Sequence, residues 1–151
     1  MVVEQIAQVN SRYMIGGTNW VGLAVPLHCS ALGKVLLAFG AATMPSEPYQ
    51  ARTPRSITTR AALEAELAAV RERGYAITDE ELEPGLVAVA APVFAGGPAA
   101  IAAISVSGPA SRMSGALVQA TAARCVSVAA ELSAVLSGPS GLGTGRSKSA
   151  A

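Results

Sequence analysis

Between Gly74 and Pro109 the chain reads GYAITDEELEPGLVAVAAPVFAGGPAAIAAISVSGP. Two runs rich in β-branched residues and alanine, Leu86 to Val93 and Ala99 to Ser107, flank the short segment Phe94 to Pro98 with its Gly96-Gly97 pair. Runs of that length around a short glycine-containing loop predict a β-hairpin. Alternation then sorts the side chains by face. Val87, Val89, Ala91 and Val93 point one way, with Ala102, Ile104 and Val106 on the partner strand. Leu86, Ala88 and Ala90 point the other way, with Ala103, Ser105 and Ser107. The first face is bulky and apolar, as a core requires. The second is small residues and two hydroxyls, which leaves volume beside it. Either a helix packs close against that face, or the face floors a small-molecule pocket, and pockets are few per protein.

The bulk composition narrows the classes. A chain of 151 residues suits one domain with a real core. A hydrophobic fraction of 51% and a charged fraction of 14% argue against disorder. Much of that hydrophobic count is alanine, and no window holds the roughly 18 continuous apolar residues a spanning helix needs. The amino end, MVVEQIAQVN, lacks a basic flank and a long apolar run, so it is not a secretory signal. The expectation is a cytoplasmic protein with no membrane partner. The net charge is +1, with Lys and Arg scattered. Nucleic-acid affinity comes largely from neutralising phosphates, so a chain without a basic patch should bind DNA poorly by itself. Cys29 and Cys125 match no Cys-x-x-Cys pattern and read as buried, reduced thiols.

In chain order, Val2 to Val9 alternates and predicts a strand, Arg12 to Ile15 continues it, and Gly16-Gly17 turns. Asn19 to Leu27 predicts a further strand ending at Pro26. An apolar run starting at residue 2 reads as a domain whose preceding part is missing. In HCSALGKVLLAFG, Ser30 is an N-cap, Leu32, Val35, Leu36 and Phe39 fall at helical spacing, and Gly40 is the stop. The free N–H groups of this helix start, around Ala31 to Gly33, form a partial positive site for an anion; the bland alternative is an N-terminus satisfied by Ser30 or water. Gly33-Lys34 is not a phosphate loop, because that motif needs Gly where His28 stands and Ser or Thr where Val35 stands. His28 has no companion His or cysteine pair to share a metal and reads as a structural histidine.

The loop from Ala41 to Ser56 carries Pro45, Pro48 and Pro54. Thr58 to Arg73 is the clearest helix, with Leu63, Leu67 and Val70 inward, Thr58 or Thr59 as cap, Arg71 and Arg73 in the last turn, and Gly74 as stop. Tyr75 to Thr78 predicts a strand entering the acidic turn Asp79-Glu80-Glu81. Clustered carboxylates suggest acid–base work or a metal, yet adjacent carboxylates in a turn are usually solvated, and no His or Cys stands nearby. Ser111 or Ser114 starts a last helix running to about Leu136, with the packing stripe Leu117, Thr121, Cys125, Val128, Leu132 and Val135. Residues 138–151, GPSGLGTGRSKSAA, form a Gly/Ser-rich tail expected to be disordered. No Gly-x-Ser-x-Gly elbow is present, and Ser105 and Ser107 have only His28 as a candidate base. The residues therefore assemble no catalytic set, no metal site and no cofactor site.

Three blocks, PLHCSALGKVLLAF, LEAELAAVRERGYAITDEELEPGLVAVAAPVF and AAISVSGPASR, resemble the effector-binding domain of IclR-type bacterial transcriptional regulators, in the family's order and spacing. The similarity covers roughly Val2 to Ser137. It implies an α+β fold: a curved, largely antiparallel sheet flanked by helices, similar to GAF and profilin-like sensor domains. It divides the chain into an effector-binding domain over residues 1–137 and the tail over 138–151. It also implies a small-molecule effector, often a carboxylate, and a homodimer or homotetramer. Carried over by position, the backbone at Ala31 and Leu32 would meet the ligand's anionic group. Thr78 and Asp79 would form a polar wall, Leu86 and Ala88 would line one strand, and Ser105 and Ser107 would hydrogen-bond ligand oxygens. The resemblance favours the pocket over close packing, since Leu86, Ala88, Ser105 and Ser107 already share the small-residue side.

The departures matter too. Family members often have a carboxylate where Thr78 stands, and Leu32 and Ala88 are less polar than in members that bind the smallest keto acids. That favours a larger or aromatic carboxylate. The family's DNA-reading part, an N-terminal winged helix-turn-helix with a linker helix, does not precede Met1, so contact with DNA is expected only through such a part supplied elsewhere. The leading expectation is a non-enzymatic ligand sensor that couples a metabolite to oligomer state and transcription control. The alternatives are an enzyme using Asp79 or Ser105, and an interaction module whose Ala/Ser face packs a partner helix.

Overall fold

The computed structural model describes residues 3–10 and 19–138. In chain order its elements are α1 (Ala31–Ala38), α2 (Arg60–Arg73), β1 (Ala76–Asp79), β2 (Leu86–Phe94), β3 (Ala100–Pro109) and α3 (Gly115–Ser137). The strands form one antiparallel sheet in the order β1-β2-β3. The fold is α+β, with helices on both faces of the sheet.

The hairpin forms where the sequence alternates. Val89 pairs with Val106, Ala91 with Ile104, and Ala88 with Ser107, so the two faces separate as expected. The bulky face, with Val87, Val89, Ala91 and Val93, buries against Val118, Ala122, Cys125 and Ala129 of α3. The small-residue face, with Ala76, Ala88 and Ala90, buries against Ala31, Val35 and Ala38 of α1, in a cluster completed by Leu63, Leu67 and Val70 of α2. Each fully buried valine or leucine among them contributes roughly 1.5–3 kcal/mol, and each alanine about 0.8 kcal/mol. Alanine on the sheet lets α1 approach closely, so helix packing covers the centre of the face.

Local signals account for the helix ends. The Ser30 side chain accepts a hydrogen bond from the Gly33 N–H at 3.0 Å and opens α1. Ala41 N–H donates to the Leu36 carbonyl around Gly40, which has φ +75°, and closes it. Thr59 caps α2 and left-handed Gly74 ends it. Gly33 has a second reason to be glycine: a Cβ there would lie 2.5 Å from Leu27 Cα and 2.6 Å from its carbonyl oxygen.

Two expectations are corrected. Val3 to Val9 and Asn19 to Leu27 form no strands; they pair only in isolated bridges, Glu4 with Ala24 and Gln5 with Val21, and the Trp20 N–H donates to Gln8 Oε1. Ile6 and Val9 are 85% and 98% exposed, because these segments never reach the sheet that their alternation would have matched. The turn expected at Gly16-Gly17, the run Arg12 to Ile15 and the tail beyond Gly138 lie outside the described residues. In α3 the buried stripe is Val118, Ala122, Cys125 and Ala129, not Leu117, Thr121, Val128, Leu132 and Val135. Small side chains face the sheet and larger ones face outward; of the expected stripe only Cys125 points inward.

Candidate functional site

The sheet register lines up part of the expected site. Thr78 pairs with Ala88, and Ala88 with Ser107, in one row across all three strands. Leu86 and Ser105 sit diagonally on the same face, one pleat away on either side. Ala31 shares a buried cluster with Ala88, and Leu32 packs against that cluster. Seven of the eight expected residues thus converge on the side of the sheet that α1 covers. Thr78 and Ala88 are buried beneath the helix and Ala31 is buried at its start, whereas Ser105 and Ser107 on the edge strand are open to solvent. The site is a ledge: a covered apolar floor continuing into two exposed hydroxyls.

The start of α1 is the ledge's polar feature. Ser30 satisfies the Gly33 N–H through its side chain and the Lys34 N–H through its carbonyl. That leaves the first-turn N–H groups of Ala31 and Leu32 without a partner among the described residues. Such groups favour an anion.

Asp79 is on the other face. Strand alternation turns its carboxylate away from Thr78, toward Arg55, with which it forms an ion pair. It lines an open cleft of about 470 Å³ beside the start of α3, together with Arg55, Glu80, Met113, Val118 and Gln119. The other seven expected residues do not line this cleft.

The acidic turn is built into the structure. Glu80 has φ +56°, a left-handed conformation held by several bonds. Its N–H donates to Leu86 O at 2.8 Å, and its carboxylate accepts from the Gly85 N–H at 2.7 Å. The Thr53 hydroxyl donates to Glu80 O and the Ser56 hydroxyl to Glu81 O, each at 2.7 Å. Glu81 turns inward to Lys34 of α1, Nζ to Oε1 2.7 Å. Lys34 is 1% exposed and also lies 3.8 Å from Glu66, which pairs with Arg73 at 2.7 Å. Burial pushes the Glu81 carboxyl above its ordinary range, and the Lys34 charge opposes that shift. The other Glu81 oxygen, Oε2, is buried without a hydrogen-bond partner.

Lys34 is the residue that sequence reasoning missed. It was weighed only as part of a nucleotide motif, yet it ties the ledge's helix to the acidic turn. The one signal available was a lysine inside an otherwise apolar helical run, a position that demands a buried counter-charge. His28 is the structural histidine expected, stacked on Tyr49 with ring centroids 5.4 Å apart and hydrogen-bonded through Nε2 to Gln50 O at 2.9 Å. Cys29 and Cys125 are free and buried. Burial raises both thiols, Cys29 to about 11.

A three-stranded antiparallel sheet with α1 and α2 against its small-residue face and α3 against its bulky face defines the class as a two-sided α+β domain. The family model for the C-terminal part of the bacterial transcriptional regulator IclR matches residues 2–134, and the chain belongs to that family. It is the effector-binding domain type of a transcription regulator. KdgR of Escherichia coli K12, an HTH-type transcriptional regulator, is 35% identical over 137 residues, covering 87% of this chain and 52% of KdgR. BhcR of Paracoccus denitrificans is 41% identical over 117 residues, 74% of this chain and 42% of BhcR. The chain thus spans about half or less of the length of these relatives. The crystal structure of the C-terminal domain of E. coli KdgR superimposes with a TM-score of 0.68 at 35% identity, covering 78% of this chain and 74% of that one. A double mutant of the PobR transcription factor inducer binding domain from Acinetobacter, in complex with 3-hydroxybenzoic acid, superimposes with a TM-score of 0.67 at 26% identity, covering 83% and 75%.

Proposed function

We propose that this chain is the ligand-sensing domain of an IclR-type regulator and binds a small carboxylate on the ledge between α1 and the outer part of the sheet. The carrying observation is the register row Thr78, Ala88, Ser107, set beside the unpartnered N–H groups of Ala31 and Leu32. In this reading those N–H groups take the carboxylate. Ser105 and Ser107 bond further ligand oxygens, and Leu86 and Ala88 give the apolar wall. Thr78, buried in the row, completes the floor. Asp79 acts from the opposite face, through Arg55 and the acidic turn, and not as ligand wall. The PobR domain's complex with an aromatic carboxylate supports a ligand of that class, as do the apolar Leu32 and Ala88. The domain comprises residues 1–137, with 138–151 as its tail. It is not an enzyme, works in the cytoplasm, assembles as a homodimer or homotetramer, and reaches DNA through a winged helix-turn-helix outside this chain. Ligand binding shifts the assembly equilibrium and with it transcription.

The test is a thermal-shift screen against pyruvate-sized and aromatic carboxylates, repeated on Ser105→Ala/Ser107→Ala. A ligand at 100 times its Kd adds about 2.7 kcal/mol. The expected result is a shift with an aromatic carboxylate that the double variant loses. A shift that survives the double substitution removes the ledge from the reading, and tighter binding of the pyruvate-sized acid removes the preference.

A further inference from the structure

Lys34 is shared between two carboxylates. Its ammonium lies 2.7 Å from Glu81 of the acidic turn and 3.8 Å from Glu66 of α2. In a helix the Cα–Cβ bonds tilt toward the N-terminus, so the side chain at position 34 runs back over the first turn, where the N–H groups of Ala31 and Leu32 stand open. The charges of Glu81 and Lys34 also act on the Cys29 thiol, one residue before the Ser30 cap. The start of α1 and the buried ion pair therefore share one neighbourhood, in which charges feel each other more strongly than in water.

A carboxylate received there adds a third anion around that ammonium. The carboxyls of the cluster are not equally provided for. Glu66 keeps Arg73 at 2.7 Å. Asp79 is 59% exposed and paired with Arg55, and Glu80 is held by the Gly85 N–H and lies 3.7 Å from Arg55. The Glu81 carboxylate has Lys34 alone among the described residues, and its Oε2 is buried with no hydrogen-bond partner. A buried carboxylate whose cation is claimed by another anion neutralises by taking up a proton rather than staying charged. Burial, then the charges of Glu66 and Asp79, already push Glu81 in that direction, and Lys34 holds it back. Once neutral, Glu81 leaves the ammonium to the ligand and to Glu66.

We infer that a carboxylate received at the start of α1 enters together with a proton, which Glu81 accepts, so that reception on the ledge strengthens as pH falls. This regulation rests on the carboxylate site proposed above. The ligand arrives as an anion, solvent supplies the proton to the Glu81 carboxylate, and Lys34 keeps its own proton, so the two added charges cancel. Glu81 holds its proton more tightly with ligand present than without. Affinity is therefore highest below the ligand-free titration of Glu81 and falls as pH rises through the ligand-bound one. By the same linkage, acidification favours the ligand-bound state.

The experiment is isothermal titration calorimetry of the 151-residue chain with pyruvate and with 3-hydroxybenzoate, on wild type and Glu81→Gln. At pH 6.5, paired runs in PIPES and in imidazole, buffers of different ionisation heat, measure the protons taken up per ligand bound. Wild type is expected to take up a fraction of a proton, and to bind about fivefold or more tighter at pH 5.5 than at pH 8. Both probes stay ionised over that range. Glu81→Gln is expected to bind with no uptake and no pH dependence, and the wild-type runs alone decide whether a proton is taken up. Independently of any ligand, the Glu81 carboxyl ¹³C resonance, assigned by its loss in Glu81→Gln, is expected to titrate above the range of exposed glutamates. Binding without proton uptake, uptake that survives in Glu81→Gln and so belongs to another group such as His28, or a Glu81 resonance that titrates with exposed glutamates would each overturn the linkage and leave ligand sensing standing. No binding of either probe at either pH removes the sensor and the linkage with it.

Discussion

Replacing Lys34 by methionine isolates the tie between α1 and the acidic turn. Lys34→Met keeps the length and most of the volume of the side chain, so packing changes little. What it removes is the cation 2.7 Å from Glu81. Glu66 keeps Arg73, but Glu81 is 13% exposed and left with no opposite charge, its Oε2 already lacking a partner. Removing one member of a fully buried pair costs about 3–5 kcal/mol. Here the loss has a ceiling. Once the ionised state costs more than protonation, the carboxyl takes up a proton, and at pH 7 that costs an ordinary glutamate about 3.5 kcal/mol. The expected loss is about 2–3 kcal/mol at pH 7, or about 5–10 °C in Tm. The sign of the pH dependence follows. Burial already raises the Glu81 carboxyl, and Lys34→Met raises it further. A carboxyl raised in the folded state favours folding below its unfolded pKa and loses that contribution as pH rises through the folded value. The deficit is therefore expected to shrink on acidification from pH 7 to pH 5, by at most about 1.4 kcal/mol per unit. Adding Glu81→Gln should recover most of it at pH 7. Urea unfolding at pH 5, 6 and 7 measures all of this. A deficit that is absent, or equal at the three pH values, would refute the reasoning.

Two further outcomes follow from the packing. Gly33→Ala gains about 1 kcal/mol of helix propensity but drives a Cβ into the Leu27 backbone, which cannot swing aside, so a net loss of about 2 kcal/mol is expected in urea unfolding; a variant as stable as wild type would show that Leu27 yields. Cys29 and Cys125 should stay unmodified by Ellman's reagent at pH 8 in the native chain and both react in urea, because burial holds their thiols protonated; rapid native labelling of either would contradict the burial described.

The hairpin was readable because a period of two leaves one choice of faces, and both faces were then covered as their side-chain sizes demand. The ends of α1 and α2 were readable because Ser30, Thr59 and Gly74 are local signals. The amino-terminal runs misled because alternation reports a half-buried surface, not whether a partner strand is within reach. The α3 stripe was misassigned because the helix is apolar on two sides; bulk pointed to Leu117 and Val128, whereas the sheet admits only Val118, Ala122, Cys125 and Ala129. On the ledge, Ser105, Ser107, Leu86 and Ala88 could be grouped by parity alone. Asp79 was grouped with Thr78 although neighbours on a strand face opposite ways. The Lys34–Glu81 contact joins residues 47 positions apart, and nothing local announces it.

The central strand has a consequence for how such a chain can change over time. Along β2 the even-numbered residues Leu86, Ala88 and Ala90 belong to the ledge and α1, while the odd-numbered Val87, Val89, Ala91 and Val93 belong to the seat of α3. Drift at even positions can reshape the ledge and the contact with α1 without disturbing the seat of α3, and drift at odd positions can reshape that seat without touching the ledge. A one-residue insertion or deletion within the strand is different in kind, since it exchanges the two sets at once. Substitutions on this strand should therefore be inherited in two independent series, and length changes hardly at all.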